Sequence, residues 1–320
     1  MRRNQLAVLV CALALSPAHL ICAAQAQDQL KGVVGQINNW EQQPPIFAQE
    51  TGIFKKFNLD VDIVGSQGAG ETIQAVISSA DIGTGVGVAG AMRAFARGAP
   101  VRLLLPAFTG TGDLYWYVRA DSPLKSVRDA TASNTVAYST SGSSSNNLVL
   151  AFVEELGLKG KPTATGGPAA TLTQAMSGQI DIGWAAPPFG VRELKEGKIR
   201  IFVRGSDVPS LRGQTVRAVI ANANALATRK DALLRFVKGY RDAVDYMYSD
   251  PKAITTYAGK MKLDEDLIRE SIKEFHPKSA MQTDEMKDME GIQKDAVKLK
   301  FLDRPLTREQ LAEFIQIPPR

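Results

Sequence analysis

Five serines, a threonine and two asparagines crowd into residues 139–147, and their hydroxyl and amide groups could bind a ligand. The stretch follows a strand-like run at 135–138 and precedes an apolar-periodic run at 148–156 that ends at Gly157. The first N–H groups of a helix that starts here have no partner within the helix, and the helix dipole favours an anion beside them. Gly142 would let backbone and ligand approach closely. Two interpretations remain open: one wall of a pocket for a small anionic molecule, or an ordinary helix N-cap beside a flexible loop.

The N-terminal residues have the pattern of a secretory signal, which places the protein in the periplasm. Residues 2–3 are basic, residues 6–15 form an apolar run too short to span a membrane, and residues 24–26 form a small-x-small cleavage site. We therefore expect residues 1–26 to be removed. Cys22 follows Ile21, where a lipoprotein signal needs a small residue, so we expect no lipid anchor.

Loss of this segment would remove both cysteines and leave His276 as the single histidine. That excludes a disulfide framework, cysteine ligands and a cysteine nucleophile. His276 lies in a charged helical stretch, and we interpret it as a surface residue at a helix end, so we expect no catalytic residue and no enzyme. The net charge is +5, of which Arg2 and Arg3 supply two, leaving +3 without a basic block. This balance does not favour nucleic acid as a partner.

Strand, small-residue loop and helix recur along the chain, which indicates an α/β fold with a mainly parallel sheet. An internal echo supports this interpretation. Gln-Ala at 74–75 and Asp-Ile-Gly at 81–83 recur as 174–175 and 181–183, each time after a small-residue loop and a short helix. The matching order predicts two similarly built lobes. We expect the two aspartates of the echo to be structural, at turns from helix to strand.

Residues 48–61 resemble the early segment of periplasmic substrate-binding proteins that serve ABC importers of the nitrate/sulfonate/taurine type, including their thiamine-precursor-binding relatives. The loop at 65–70 and the turns at 80–83 and 178–182 fit as well. The resemblance implies a type II periplasmic-binding-protein fold, in which two α/β lobes are joined by two hinge crossovers. The implied boundaries are a signal peptide at 1–26, lobe 1 at 27–109, lobe 2 at 110–205, and the rest of lobe 1 with the C-terminal helices at 206–320.

In that family the pocket residues come from loops at the carboxyl ends of the strands, as open α/β sheets generally require. Carried onto this chain, the resemblance implies these ligand-binding residues: Asn39, Trp40, Glu41, Ser66, Gln67, Gly68, Thr84, Gly85, Ser139, Thr140, Ser141, Gly142, Ser143, Trp184 and Ala185. We expect Trp40 and Trp184 to be pocket aromatics. Glu41 either accepts hydrogen bonds from an amine-bearing ligand or is solvated. These loops contain no arginine, so we expect neutral hydrogen-bond donors and helix N-termini to bind the ligand.

The resemblance implies a monomeric periplasmic solute-binding protein that captures a small, anionic organic molecule of the sulfonate or carboxylate class. It would deliver this molecule to a membrane permease, without a cofactor or a metal. Three alternatives remain: a periplasmic sensor subunit, a binder of a pyrimidine thiamine precursor, and an enzyme on the same fold.

Overall fold

The computed structural model describes residues 27–320, so the predictions made for residues 1–26 lie outside the described residues. Within this range the strands are β1 (Asp28–Val34), β2 (Leu59–Gly65), β3 (Ile82–Gly87), β4 (Val101–Thr109), β5 (Tyr115–Arg119), β6 (Thr135–Tyr138), β7 (Lys161–Ala164), β8 (Gly183–Ala185), β9 (Ile199–Arg204) and β10 (Thr215–Asn222). The α-helices are α1 (Pro44–Glu50), α2 (Ile53–Lys56), α3 (Ala69–Ser78), α4 (Val88–Ala96), α5 (Ser144–Leu156), α6 (Pro168–Met176), α7 (Val191–Lys195), α8 (Ala223–Thr228), α9 (Lys230–Ser249), α10 (Pro251–Met261), α11 (Glu265–Phe275), α12 (Met289–Lys298) and α13 (Arg308–Phe314). Within residues 27–320, no helix is both long enough and apolar enough to cross a membrane.

The first sheet has the strand order β2-β1-β3-β10-β4. Its first three strands are parallel, and β10 runs antiparallel to both β3 and β4. Helices cover both faces, because the side chains of each strand alternate between two hydrophobic clusters. Leu30 of β1 belongs to the cluster beneath α9, with Phe236 and Tyr240, whereas Val33 belongs to the cluster that contains Ile73 of α3 and Met92 of α4.

The second sheet repeats this arrangement. Strands β8, β5 and β9 pair antiparallel, and β6 pairs parallel with β7. Hydrogen bonds from the Ala137 amide to the Ile182 carbonyl (2.8 Å) and from the Ile182 amide to the Thr135 carbonyl (3.0 Å) join β6 to the start of β8. The continuous order is therefore β7-β6-β8-β5-β9, with the same pattern of parallel and antiparallel neighbours as the first sheet. The predicted α/β fold with two similarly built halves is confirmed.

The sequence echo corresponds to equivalent hydrogen bonds in the two halves. The carboxylate of Asp81 accepts from the Lys31 amide of β1 (2.8 Å), and that of Asp181 accepts from the Thr135 amide of β6 (2.7 Å). Each aspartate lies in the turn between a helix and a strand, and its hydrogen bond fixes that turn to the neighbouring parallel strand. These contacts agree with the structural role that we expected for both residues.

Two connections run between the halves, from β4 to β5 and from β9 to β10. The boundaries predicted at 109/110 and 205/206 fall in these connections and stay a prediction. Helix α11, although it follows both connections, packs against the second sheet. Phe275 joins Tyr115 in a hydrophobic cluster, and Glu270 pairs with Lys195 at 2.7 Å. The C-terminal helices therefore contact both halves of the protein.

The expectation that His276 is a surface residue is wrong. His276 caps the end of α11 and is 1% exposed, with its Nε2 3.0 Å from the carbonyl oxygen of Pro187 and its ring against Phe108. The charged neighbours of His276 point to solvent on one side of the helix, but the helix end itself is inserted between the halves. A local charge pattern cannot report this tertiary contact.

Candidate functional site

The serine-rich loop connects β6 to α5 and is largely held by its own hydroxyl groups. Ser143 is the N-cap of α5, since its Oγ accepts a hydrogen bond from the Asn146 amide (3.0 Å). The hydroxyl of Ser145 lies 3.0 Å from those of Ser139 and Ser143 and accepts from the Ser139 amide. The ordinary N-cap interpretation is therefore correct for part of the loop. The network fixes the loop and aims the first turn of α5 toward the other half of the protein.

The middle of the loop packs directly on the first half. The Thr140 hydroxyl accepts a hydrogen bond from the Gly70 amide at the start of α3 (2.9 Å). A Cβ atom placed on Gly90 of α4 would lie 2.1 Å from the carbonyl oxygen of Gly142, closer than any real contact. The close approach of the two halves therefore requires a glycine at position 90.

Where the two halves meet, they enclose a small cavity of about 20 Å³. A volume of this size holds about one water molecule, so a larger ligand requires the halves to separate first. The lining residues come from both sheets: Gln36, Asn39, Glu41, Gln42, Gly68, Ala69, Gly85, Leu114, Ser139, Ser143, Ser144, Ser145, Trp184 and Arg217.

A larger groove of about 870 Å³ lies elsewhere, between α9 and the C-terminal residues. Its lining is mostly aliphatic, and two of its arginines are neutralised by carboxylates: Arg102 by Glu313, and Arg235 by Asp28. The smaller cavity is the candidate functional site, because it lies between the two halves and is lined by residues with buried, unpaired polar atoms.

A buried ion cluster forms the charged side of the cavity. Arg217 of β10 contacts Asp113 through Nη2, lies 3.6 Å from a carboxylate oxygen of Glu41 through Nε, and donates from Nη1 to the Ser144 hydroxyl (3.1 Å). Its guanidinium also stacks 4.5 Å from the centre of the Phe108 ring. One arginine thus joins both halves and the connection between β4 and β5.

The electrostatics of this cluster are set by burial. Burial outweighs the attraction of Arg217 and raises the pKa of the Asp113 carboxyl to about 7. Burial also lowers the pKa of His276, which favours the neutral imidazole. Glu41 and Arg217 are each 3% exposed, so their charges are hardly screened by solvent.

Several buried polar atoms around the cavity have no hydrogen-bond partner within residues 27–320. They include Oδ1 of Asn39, Oε2 of Glu41 and Nε of Arg217. Leaving a buried polar atom unpaired costs about 1–3 kcal/mol. Such atoms concentrated at one place are typical of a site that is completed by a ligand or by water.

The cluster also has a geometry that could hold a metal ion. One nitrogen of His276 and one oxygen each from Glu41 and Asp113 lie within 4.8 Å of one another. The guanidinium of Arg217 already faces both carboxylates, so a divalent ion would meet a buried positive charge. That the site works without a metal stays our prediction.

The structure brings about half of the expected site residues to the cavity. The expected residues that line it are Asn39, Glu41, Gly68, Gly85, Ser139, Ser143 and Trp184. The expected residues that do not line it are Trp40, Ser66, Gln67, Thr84, Thr140, Ser141, Gly142 and Ala185. Thr140 and Gly142 contact the first half instead, and Ser66 bonds to the Thr72 hydroxyl (2.8 Å).

Trp40 is not a cavity residue, contrary to our expectation. Its ring packs edge-on against Phe47 and Tyr257, and its Nε1 donates to the Tyr248 hydroxyl (3.1 Å). The 3₁₀ turn Trp40–Gln42 directs the indole into this aromatic cluster and Glu41 toward the cavity. Neighbouring residues in a turn point in different directions, and the sequence alone could not say which of them would face the ligand.

Arg217 is the most important residue that sequence reasoning missed. The loops contain no arginine, but Arg217 reaches the cavity from β10. The signal was a single charge inside the apolar run 216–220, which becomes a buried strand. Buried arginines almost always have partners, so an isolated charge in such a strand indicates a polar site. Gln36, Gln42, Ala69 and Leu114 also line the cavity without having been expected. Ser144 and Ser145 line it too, and they belong to the serine-rich stretch 139–147, although the residues carried over from the resemblance did not include them.

Comparison with solved structures supports the fold. The alkanesulfonate-binding protein of Xanthomonas axonopodis pv. citri, bound to MOPS, superposes with a TM-score of 0.74 at 17% identity over 92% of this chain and 100% of that one. The periplasmic aliphatic sulphonate binding protein of Escherichia coli gives 0.67 at 20% identity, over 90% and 97%. The periplasmic nitrate-binding protein of Synechocystis PCC 6803 gives 0.66 at 13% identity, over 90% and 85%. These likenesses confirm the expected periplasmic-binding-protein fold.

Family membership follows from the sequence comparison. No curated protein sequence matches this chain. Residues 39–254, which are more than half of the chain, match the family described as NMT1/THI5 like. This range covers both connections between the sheets and most of the cavity residues. The chain belongs to the NMT1/THI5-like family.

Proposed function

We propose that this protein captures a small organic molecule with an acidic group, a sulfonate or a carboxylate, between its two halves. One observation carries the proposal. Loops at the ends of the strands of both sheets meet around a cavity that combines the first turn of α5, the Arg217 guanidinium and the Trp184 ring. Hydroxyls, a helix N-terminus and an arginine suit an acidic group, and an indole suits the apolar part of the same ligand.

The binding mechanism that we propose is closure of the halves around the ligand. The halves are joined by two connections, and their contact leaves only a small cavity between them. A ligand that touches both halves only in the closed form shifts the equilibrium toward that form by its differential affinity. The small residues at Gly70 and Gly90 permit the close approach that closure requires. The proposal involves capture and release without chemical change.

We further propose that the protein acts in the periplasm and delivers its ligand to the permease of an ABC importer. The similar structures described above are binding proteins for alkanesulfonates, sulphonates and nitrate, and two of them are called periplasmic. A monomer with a single cleft would suit this role. Reconstitution with the permease in proteoliposomes, with ligand uptake as the readout, separates transport from a sensor role.

The experiment that tests capture begins with protein purified without refolding. Native mass spectrometry would reveal a ligand carried over from the cell. Titration calorimetry would follow, with alkanesulfonates, aromatic carboxylates and pyrimidines. We expect binding of at least one acidic compound, together with a decrease in the radius of gyration. Binding of pyrimidines alone would contradict the acidic class, and a chemically altered ligand would contradict capture.

A further inference from the structure

The groove between α9 and the C-terminal residues, of about 870 Å³, takes no part in the function proposed above. Its volume falls within the range of about 300–1,000 Å³ that is typical of sites for small molecules. Its lining comes from β4, α8, α9, α13 and the residues after α13, so the groove belongs to the first half alone. A ligand bound there would not need the two halves to close.

The wall of the groove opposite α9 is fixed by hydrogen bonds. The Gln316 amide donates to the Leu103 carbonyl oxygen of β4 (2.8 Å), so the C-terminal residues run along the edge of the first sheet. Further on, Arg241 of α9 donates to the carbonyl oxygens of Pro318 (3.0 Å) and Thr283 (3.0 Å). The groove is therefore bounded on both sides by structure that is held in place.

The interior of the groove is mainly aliphatic. Leu104 and Val237 line it and are buried in the core cluster beneath α9. Leu234, Ile315 and Ile317 line it while they are only half-buried, so part of their apolar surface is in contact with water. An alkyl chain that covers this surface is stabilised in proportion to the apolar area removed from water.

The charges of the groove favour a ligand with a negative group. Its lining contains five basic and two acidic residues. The arginines of the lining have carboxylate partners, which are Glu313 for Arg102, Asp28 and Asp231 for Arg235, and Asp284 for Arg241. Lys230 and Lys238 are exposed, and neither pairs with a carboxylate of residues 27–320. These two lysines are therefore the cations that a ligand can reach.

The two lysines and an apolar side chain share one face of α9. Lys230, Leu234 and Lys238 stand at positions i, i+4 and i+8, which places the lysines about 12 Å apart along the helix axis. Asp231 lines the groove next to Lys230, whereas Lys238 stands one turn from Arg241. The end of the groove at Lys238 is therefore the more favourable place for a negative group.

We infer that this groove is a second binding site, and that its ligand is a long-chain carboxylate, the class of the fatty acids. The carboxylate lies at Lys238, and the alkyl chain runs over Leu234 toward Lys230 against Ile317. This inference goes beyond the proposed function and does not depend on it.

A chain-length series tests the alkyl part of the ligand. Octanoate and dodecanoate, each below its critical micelle concentration, are titrated by calorimetry into protein freed of lipid. We expect one site per chain, and binding of dodecanoate that is about tenfold tighter or more, because four further methylene groups leave water. Leu234→Gln should reduce this gain to within about threefold. The matched control is Leu267→Gln, which changes a half-buried leucine of α11 outside the groove and should keep the gain.

The lysine is tested with a pair of ligands that differ only in the head group. Decanoate should bind more tightly than 1-decanol to the wild type. Lys238→Gln should weaken the binding of decanoate about threefold and leave that of 1-decanol unchanged, as the loss of one exposed charge pair predicts. Lys230→Gln is the control from the same groove and should retain the affinity for decanoate. Circular dichroism with thermal unfolding checks that each variant is folded.

The outcomes distinguish this site from the others. Dodecanoate that binds no more tightly than octanoate would overturn the inference. Dodecanoate that binds equally well to Leu234→Gln would overturn the groove as its site and direct the ligand to the cavity between the halves. Weakening by Lys230→Gln in place of Lys238→Gln would overturn the position of the head group.

Self-association is the other use that an apolar groove of this kind can have. If the protein forms a dimer that Leu234→Gln abolishes, and dodecanoate does not bind, a second copy of the chain occupies the groove and the inference is overturned. None of these results changes the affinity expected at the Arg217 cavity, so the proposed function stands or falls separately.

Discussion

The guanidinium of Arg217, on a strand of the first sheet, donates a hydrogen bond to the hydroxyl of Ser144 in the second half, at a distance of 3.1 Å. The same side chain contacts Asp113 in the connection between the sheets. Arg217 is therefore the point at which the two halves, one connection and the cavity meet, and several measurable properties should depend on it.

We expect Arg217→Met to lower the free energy of unfolding by about 3–5 kcal/mol, because Asp113 and Glu41 then lose their buried cation. Urea unfolding measures the loss. The matched control is Arg320→Met, whose partner pair with Asp284 is exposed and should contribute less than about 1 kcal/mol. The double variant Arg217→Met with Asp113→Leu should recover part of the loss, since it leaves fewer charges uncompensated. A loss below about 1 kcal/mol for Arg217→Met alone would contradict the ion cluster.

Gly90→Ala should weaken ligand binding by about tenfold or more without destabilising the fold. The new methyl group would meet the Gly142 carbonyl oxygen only when the halves are closed, while alanine is the better helix former by about 1 kcal/mol. Calorimetry gives the affinity, and small-angle scattering gives the compactness. The control is Gly259→Ala in α10, where an added Cβ meets no atom within 4 Å. Unchanged affinity in Gly90→Ala would show that ligand binding does not need this close contact.

The stability of the protein should fall as the pH rises through the range in which Asp113 titrates. The folded pKa of Asp113 is raised to about 7 from an ordinary 3.8, so between these values the folded state holds a proton that the unfolded chain has released. The unfolding free energy then decreases with rising pH over this window. Glu41, Arg217 and His276 face Asp113, and burial lowers the pKa of His276, which contributes a slope of the opposite sign.

The comparison of wild type with Asp113→Asn isolates the Asp113 contribution, because His276 is present in both proteins. Urea unfolding between about pH 4 and pH 8 should give a more negative slope against pH for the wild type than for the variant. Parallel curves would mean that Asp113 is ionised throughout, as a simple ion pair with Arg217 would require.

Ligand binding should change the emission of one tryptophan. All three tryptophans are buried, but Trp184 lines the cavity whereas Trp40 and Trp116 do not. We expect Trp184→Phe to abolish most of the ligand-induced fluorescence change, and Trp40→Phe to retain it. If the ligand-induced fluorescence change disappears in Trp40→Phe instead, the ligand binds outside the cavity described here.

Much of the local structure follows from the sequence, because short-range physics decides it. Ser143 caps α5 and Gly157 ends it in the left-handed conformation, as the order of polar loop, apolar run and glycine indicates. Asn58, just before β2, adopts a positive φ of 53°, a conformation that asparagine tolerates better than most residues. The echo of Asp-Ile-Gly likewise predicted two similar halves. In the structure, each aspartate bonds to a strand of its own sheet.

The first strand shows what a local sequence pattern cannot predict. The sequence pattern at 31–38, with its apolar residues within 33–37, suits a buried strand, but β1 spans Asp28–Val34 and is fixed by its register with β2. Pairing with a distant strand decides which residues extend, and one chain segment carries no information about that register.

The sequence by itself determined the α/β class, the two similar halves, the serine-rich helix start and the family. Only the tertiary structure decided which side chains line the cavity. Trp40 turned into the core and His276 was buried between the halves, while Arg217 entered the cavity from a strand in which only its isolated charge was unusual. The physical reason is that helix caps and turns depend on neighbours along the chain. The direction of a side chain in a cleft depends instead on packing between residues that are far apart in the chain, as Glu41, Asp113 and Arg217 are.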